Sequence, residues 1–167
     1  MKKEINVFDH SEAILKALHH GVLVTTKAND EVNTMVISWG ALGYEWRKPL
    51  FTIYVKKSRH TKDLLDANGE FTVNIPVGDF DQHVLDICGK ESGRDIDKIK
   101  SLGLTLVDPD KISVPGIKEF PMTLECKVVY KHIQQNYEGW RVPLADEVNE
   151  NYQTVYYGEI VSAYIVE

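Results

Sequence analysis

The chain has 167 residues, 43% of them hydrophobic, which suits one compact domain of roughly 100–200 residues and leaves little room for two. Acidic side chains number 25 against 19 basic ones, and the net charge of −6 argues against general nucleic-acid binding, which calls for a basic surface. Cys88 and Cys126 make neither a disulfide scaffold nor a zinc pattern, and no stretch approaches the ~18 consecutive apolar residues of a membrane span.

The charged start Met1-Lys2-Lys3-Glu4 has no apolar run behind it, so no signal peptide is expected. The composition predicts a single cytoplasmic domain over residues 1–167 with reduced thiols. Ser11 is expected to cap a short helix with Ile14, Leu15 and Leu18 on one stripe, broken by Gly21. Gly21 to Lys27 is β-branched and predicts a strand, Ala28-Asn29-Asp30-Glu31 a turn, and Asn33 to Trp39 the second arm of a hairpin. Pro49 to Lys56 predicts a third strand, with Phe51, Ile53 and Val55 on one face.

A short helix is expected at Lys62 to Ala67, closed by Asn68-Gly69, followed by a strand at Glu70 to Ile75 that Pro76 ends. Asp79 is expected to cap a helix with Phe80, His83, Val84, Ile87 and Cys88 on its apolar stripe, stopped at Gly89. His83 is expected to be half-buried. Ile96, Ile99 and Leu102 predict a further short helix before Gly103. From Phe120 the even positions are apolar through Tyr130 and the odd ones mostly polar, a strand with one face in a core and one in water. Tyr152 to Val166 predicts a second long strand, bulged near Gly158. The expectation is a mainly β, antiparallel barrel with short helices.

The chain has no G-x-G-x-x-G, no P-loop, no H-E-x-x-H, no C-x-x-C and no G-x-S-x-G. His19-His20 reads as a surface pair, and both cysteines read as small core hydrophobes. Two segments stand out. Ser58-Arg59-His60-Thr61 precedes a helix, where hydroxyls, a guanidinium and free N–H groups can converge on a phosphate. Lys56 and Lys57 add positive potential beside it. Asn33 to Gly43 runs from a strand into a stretch of small residues after Trp39, where a backbone can approach a planar ligand. Tyr44 and Trp46 are nearby aromatics that suit any flat ligand or ordinary packing.

Taken together, N-T-M-x-x-S-W, then P-L-F-T-I-Y-V, then S-R-x-T before a helix, then E-F-T-V-N-I-P resembles the flavin reductase-like family with the FMN-binding split β-barrel, which includes the flavoredoxins. Cys88-Gly89, Ser92-Gly93-Arg94, Asp97-Lys98 and Gly103-Leu104 follow the same family order. The likeness covers about Gly21 to Tyr130. Where many flavin reductases carry Gly-Asp-His, this chain has Gly158-Glu159-Ile160, without the histidine.

The resemblance implies one FMN per subunit and a homodimer. It implies that Met35, Val36, Ile37, Ser38 and Trp39 line the isoalloxazine and ribityl chain, and that Ser58, Arg59 and Thr61 hold the phosphate. Asn74 and the stretch Cys88 to Ser92 are expected beside the same pocket. Three functions follow as alternatives. One is an oxidoreductase that passes hydride from NAD(P)H to flavin N5, with no evident catalytic side chain. Another is a flavoredoxin-like carrier served by a redox partner protein. The third is a flavin- or haem-binding module without turnover.

Overall fold

A computed structural model describes residues 1–135 and 152–167. Strand β1 (Lys2–Glu4) pairs with the last strand, and Asn6 then accepts from the Phe8 N–H at 3.0 Å to start a 3-10 turn, Val7–His10. That turn runs directly into α1 (Ser11–His20). Ser11 is therefore not the cap the sequence suggested: its own N–H already bonds Phe8 O within the turn. Ile14 and Leu18 are buried and Leu15 is exposed, so the inward stripe is narrower than expected.

Strands β2 (Val22–Ala28) and β3 (Glu31–Ile37) form the expected hairpin around Asn29 and Asp30, both at positive φ (50° and 64°). A two-residue turn of this kind matches the strand twist, and Asn and Asp tolerate the left-handed region. A second hairpin joins β4 (Ala41–Glu45) to β5 (Lys48–Lys56) through Trp46 and Arg47, at φ 52° and 60°. Strand β4 was not expected, because Trp-Arg is no turn signal.

Helix α2 (His60–Ala67) leads to β6 (Glu70–Ile75). Helix α3 (Gln82–Lys90) is capped by Asp81, whose carboxylate accepts from the His83 N–H at 2.9 Å. It starts two residues later than Asp79 would place it and runs through Gly89. The shift turns His83 to solvent and brings Leu85 inward, so the buried face is Val84, Leu85 and Cys88. After α4 (Lys98–Ser101) come the short strands β7 (Leu106–Val107) and β8 (Gly116–Ile117), then the long β9 (Met122–Gln135) and β10 (Tyr152–Val166).

The main sheet runs β3-β2-β6-β9-β10-β5-β4 with every pairing antiparallel, and β1 lies against β10. Its inner face gathers Val22, Val24, Ile53, Phe71, Val73, Leu124 and Tyr156 around one core. The register of β9 on β10 shifts between Tyr157 and Gly158. There the Phe71 ring lies so close that a Cβ on residue 158 would come within 2.4 Å of it.

The outer face of β9 is in water at Lys127 and Lys131 as the alternation suggested, and Tyr130, expected on the core face, is exposed, but Thr123 and Glu125 are fully buried. The chain around β7 and β8 covers them, and Glu125 accepts the N–H groups of Asp110 and Lys111 at 2.7 and 2.8 Å. A second apolar cluster of Leu23, Val84, Leu85, Cys88, Leu104, Ile117 and Phe120 sits between this layer and the sheet. Among the described residues no helix is long and apolar enough to cross a membrane.

Candidate functional site

Strand β3 is the end of the sheet path, so on one side its backbone meets no further strand. The Thr34 carbonyl on that side accepts from Lys98 Nζ at 2.9 Å. By the two-residue alternation of an antiparallel strand, the N–H and C=O of Val36 face the same way. Across the gap stand Tyr54 and Lys56 of β5 and Gln153 of β10. Together with Met35, Val36, Ile37, Ser38, Trp39 and Arg59 they line a cleft of about 230 Å³. The barrel is split at this point.

A second cavity of about 250 Å³ adjoins the first, sharing Met35, Lys56 and Arg59. Its remaining wall comes from Asn33, the Ser58-to-Thr61 turn, Lys90 to Gly93, and Lys98. Each cavity alone falls below the about 300–1,000 Å³ of a small-molecule pocket, and the joined cleft reaches that range. It is long, with an edge strand and aromatic rings at one end and cations with hydroxyls at the other.

The charge at the second end is lopsided. Lys56, Arg59, Lys90 and Lys98 line it against one carboxylate, Glu91, and none of these cations forms an ion pair among the described residues. Lys98 is the strongest case. It is 3% exposed, and its ammonium donates to Thr34 O and, at 3.3 Å, to Cys88 O. Asp97 caps α4 by accepting from the Lys100 N–H at 3.1 Å, which sets Lys98 in the first turn, against β3. Burial pulls the Lys98 amine below its ordinary value, and the positive Arg59 adds to that, while Cys88 and Glu91 pull the other way. A buried charge normally carries a counter-charge. Two carbonyls supply dipoles only.

Nine of the residues singled out in the sequence meet here: Met35, Val36, Ile37, Ser38, Trp39, Ser58, Arg59, Thr61 and Ser92. Two do not. Asn74 is fully buried on the outer face of β6, where its amide donates to Thr25 and Thr72 hydroxyls at 2.9 and 3.1 Å. Its carbonyl accepts the Ile117 N–H at 3.0 Å. That side chain is spent on tying β2, β6 and the covering layer together. Cys88 lies beneath the cavity, fully buried on α3, and reaches it only through the backbone carbonyl that Lys98 holds. Burial pushes its thiol up to about 11, which leaves it protonated and unreactive.

Tyr44 and Trp46 line neither cavity; Tyr44 packs edge-on to Phe8, and Trp46 packs on Tyr130 and Tyr157. His19 and His20 are exposed, and the described residues hold no cluster able to bind a metal. Lys90 falls within the Cys88-to-Ser92 stretch expected beside the pocket, whereas Lys98, Gly93, Tyr54 and Gln153 line the cavities without having been singled out as site residues. Lys98 lay within the quoted Asp97-Lys98 step, but a lone lysine carries no local sign of burial.

Residues 16–167 match the family described as flavin reductase like domain. The chain belongs to that family. The chain is 27% identical to a flavoredoxin from Methanosarcina acetivorans, with a TM-score of 0.66 over 88% of this chain and 68% of that one. It is 26% identical to the flavoredoxin of Desulfovibrio vulgaris (Miyazaki F), with a TM-score of 0.68 over 88% and 69%. An uncharacterized protein of Archaeoglobus fulgidus is 34% identical over 100 residues, 60% of this chain and 55% of its own length. The chain thus spans little more than half of that relative. The fold is the flavin reductase-like split barrel.

Proposed function

We propose that this flavin reductase-like chain binds FMN along the joined cleft and serves as an oxidoreductase that takes electrons from NAD(P)H. The observation that carries the reading is the set of cations that form no ion pair among the described residues, above all the buried Lys98, at one end of a long cleft whose other end is an edge strand. An anion there supplies the missing counter-charge, and a phosphate ester on a flat heterocycle fits both ends. Ser58, Arg59, Thr61 and Lys98 would hold the phosphate. The outward backbone groups near Val36 would bond the edge of the ring, and Trp39, 62% exposed, would cover it from the mouth. FMN, when bound, supplies the two-electron chemistry. The protein's part is to bind, orient and exclude water, which agrees with a site that has no evident acid or base.

The purified protein should be yellow or take up added FMN, and its visible spectrum should bleach on adding NADPH or NADH. A colourless protein that binds no FMN would overturn the reading. The Arg59→Ala variant should bind FMN about 2 kcal/mol more weakly, roughly thirtyfold.

The likeness to two flavoredoxins over 88% of the chain favours a second reading, an electron carrier that NAD(P)H reduces slowly. Stopped-flow reduction separates the two: fast bleaching by NAD(P)H alone supports the enzyme, and slow bleaching with rapid exchange to a redox protein supports the carrier. We also propose a homodimer. Trp46 and Tyr130 are exposed and pack together beside Tyr157, an apolar patch of the kind that marks an interface. The mass in solution should be near twice 19.0 kDa.

A further inference from the structure

The cationic cavity ends at a wall. The Asn33 amide donates to Thr61 Oγ1 at 3.4 Å, and the Gly93 backbone packs directly on Asn33. A Cβ on residue 93 would meet Asn33 Oδ1 at 2.2 Å and the His60 ring at 3.1 Å, so only glycine fits against Asn33. Side chains from separate segments hold the wall shut. Arg94 donates to Ser58 O at 2.8 Å and pairs with Asp63 at 2.6 Å, which pins the loop after α3 onto the start of α2. His60 Nε2 lies 2.6 Å from Glu31 Oε1, which ties α2 to the start of β3.

Behind the wall lies a groove of opposite sign. It shares Asn33 and Gly93 with the cationic cavity and is lined by Asp30, Glu31, Asp95 and Asp97. Its one cation, Arg94, is already paired with Asp63. A phosphate held at Ser58, Arg59 and Thr61 therefore has cations on its own side and carboxylates on the other.

We propose that the Asn33–Gly93 wall and the carboxylates behind it make this site selective for a flavin that ends in a single phosphate, FMN, over the dinucleotide FAD. The inference rests on the flavin reading above and adds the residues that set the choice. The second phosphate and adenosine of FAD extend past the terminal phosphate. The wall stands in that path, and the next groups met are Asp30, Glu31, Asp95 and Asp97, which repel a further anion.

The test is fluorescence-quenching titration of the full chain with FMN, FAD and riboflavin, in the wild type and in two variants. Asn33→Ala opens the wall. The double variant Asp30→Asn with Asp95→Asn removes charge behind an intact wall, and asparagine accepts the left-handed backbone of residue 30 (φ 64°). The wild type should bind FMN at least about tenfold more tightly than FAD. Both variants should narrow that ratio by roughly threefold or more through tighter FAD binding, and the gain in the double variant should vanish at high salt. Riboflavin, which ends before the phosphate, should bind all three proteins alike. FAD within threefold of FMN in the wild type, or a ratio unmoved in both variants, would overturn the selectivity while leaving the flavin site standing. Failure of all three flavins to bind the wild type would overturn the flavin reading and this inference with it. The double variant keeps the test open if Asn33→Ala does not fold.

Discussion

Replacing Lys98 by methionine separates its electrostatic role from its packing role. Methionine keeps the length of the apolar stem and removes the ammonium. For folding, two effects oppose each other. Thr34 O and Cys88 O lose a charged donor at 2.9 and 3.3 Å, which costs about 1–3 kcal/mol. Burying a cation that forms no direct ion pair among the described residues costs several kcal/mol of its own, and that burden disappears. The variant should therefore fold with a stability close to the wild type or above it. For binding, nothing offsets the loss. A charge-assisted hydrogen bond to the phosphate is worth about 1.5–3 kcal/mol, so FMN should bind on the order of ten- to hundredfold more weakly.

Riboflavin, which has the same ring and ribityl chain and no phosphate, should be unaffected within about twofold. Titration with both flavins therefore isolates the phosphate end. Equal losses for FMN and riboflavin would refute a phosphate role for Lys98, and so would an unchanged FMN affinity. A pH series adds a second signature. The free protein holds the Lys98 amine below its ordinary value of 10.5, and a bound phosphate favours the protonated form. Binding should take up a proton as pH rises through that lowered value, so FMN affinity should fall toward 10.5. Arg59, Lys56, Lys90 and Glu91 line the same space, so Lys98 is one of several charged groups that the phosphate meets. The alkaline loss should therefore become shallower in Lys98→Met, not disappear.

Other consequences concern the scaffold. Asn74→Ala leaves the buried Ile117 N–H without its acceptor and removes one of the bonds at the Thr25 and Thr72 hydroxyls, which keep Thr34 and Pro115 O; it should cost about 2–3 kcal/mol by denaturant titration, with FMN affinity of the folded protein unchanged. Partial burial opposes ionisation of Asp66, but donors from Lys62, Tyr156 and Lys131 outweigh it and lower its pKa. Its share of stability is present above the unfolded carboxylate value of 3.8 and is lost as pH falls below it; Asp66→Asn should flatten that acid loss in denaturation midpoints. Cys88 and Cys126, both fully buried, should resist a thiol reagent at neutral pH until the protein is unfolded, and rapid labelling of the native state would contradict their placement.

What could be read from the sequence tracks what is local. The hairpin around Asn29-Asp30 and the end of α2 at Asn68 carry their own turn chemistry, and both form as expected. Strand β4 escaped because Trp46 and Arg47 accept a left-handed backbone without announcing it. The burial of Thr123 and Glu125 also escaped, since the covering layer comes from a segment with almost no periodicity of its own. At the site, Ser58-Arg59-Thr61 was legible because hydroxyls and an arginine cluster before a helix, whereas Met35 to Trp39 followed from the family resemblance and not from their own chemistry. Asn74 was misplaced because an asparagine in a strand looks the same whether it faces a ligand or a buried row of threonines.

Lys98 shows why the site belongs to the split and not to either segment alone. A closed barrel would pair the outer groups of β3 with another strand, and a bare edge would invite pairing with other chains. This chain does neither along the whole length of β3. At Thr34 the edge is answered by an ammonium from α4, while α3 packs against the same strand. Toward Val36 and Trp39 it is left facing Tyr54 and Lys56 across the cleft. The open part of the edge and the buried cation thus arise from one device: the residue that quiets the edge at Thr34 brings in a charge that forms no ion pair among the described residues. A ligand that bonds the remaining edge with a ring and answers the charge with a phosphate satisfies both at once, which is why the cleft suits a phosphorylated flavin better than an uncharged planar molecule.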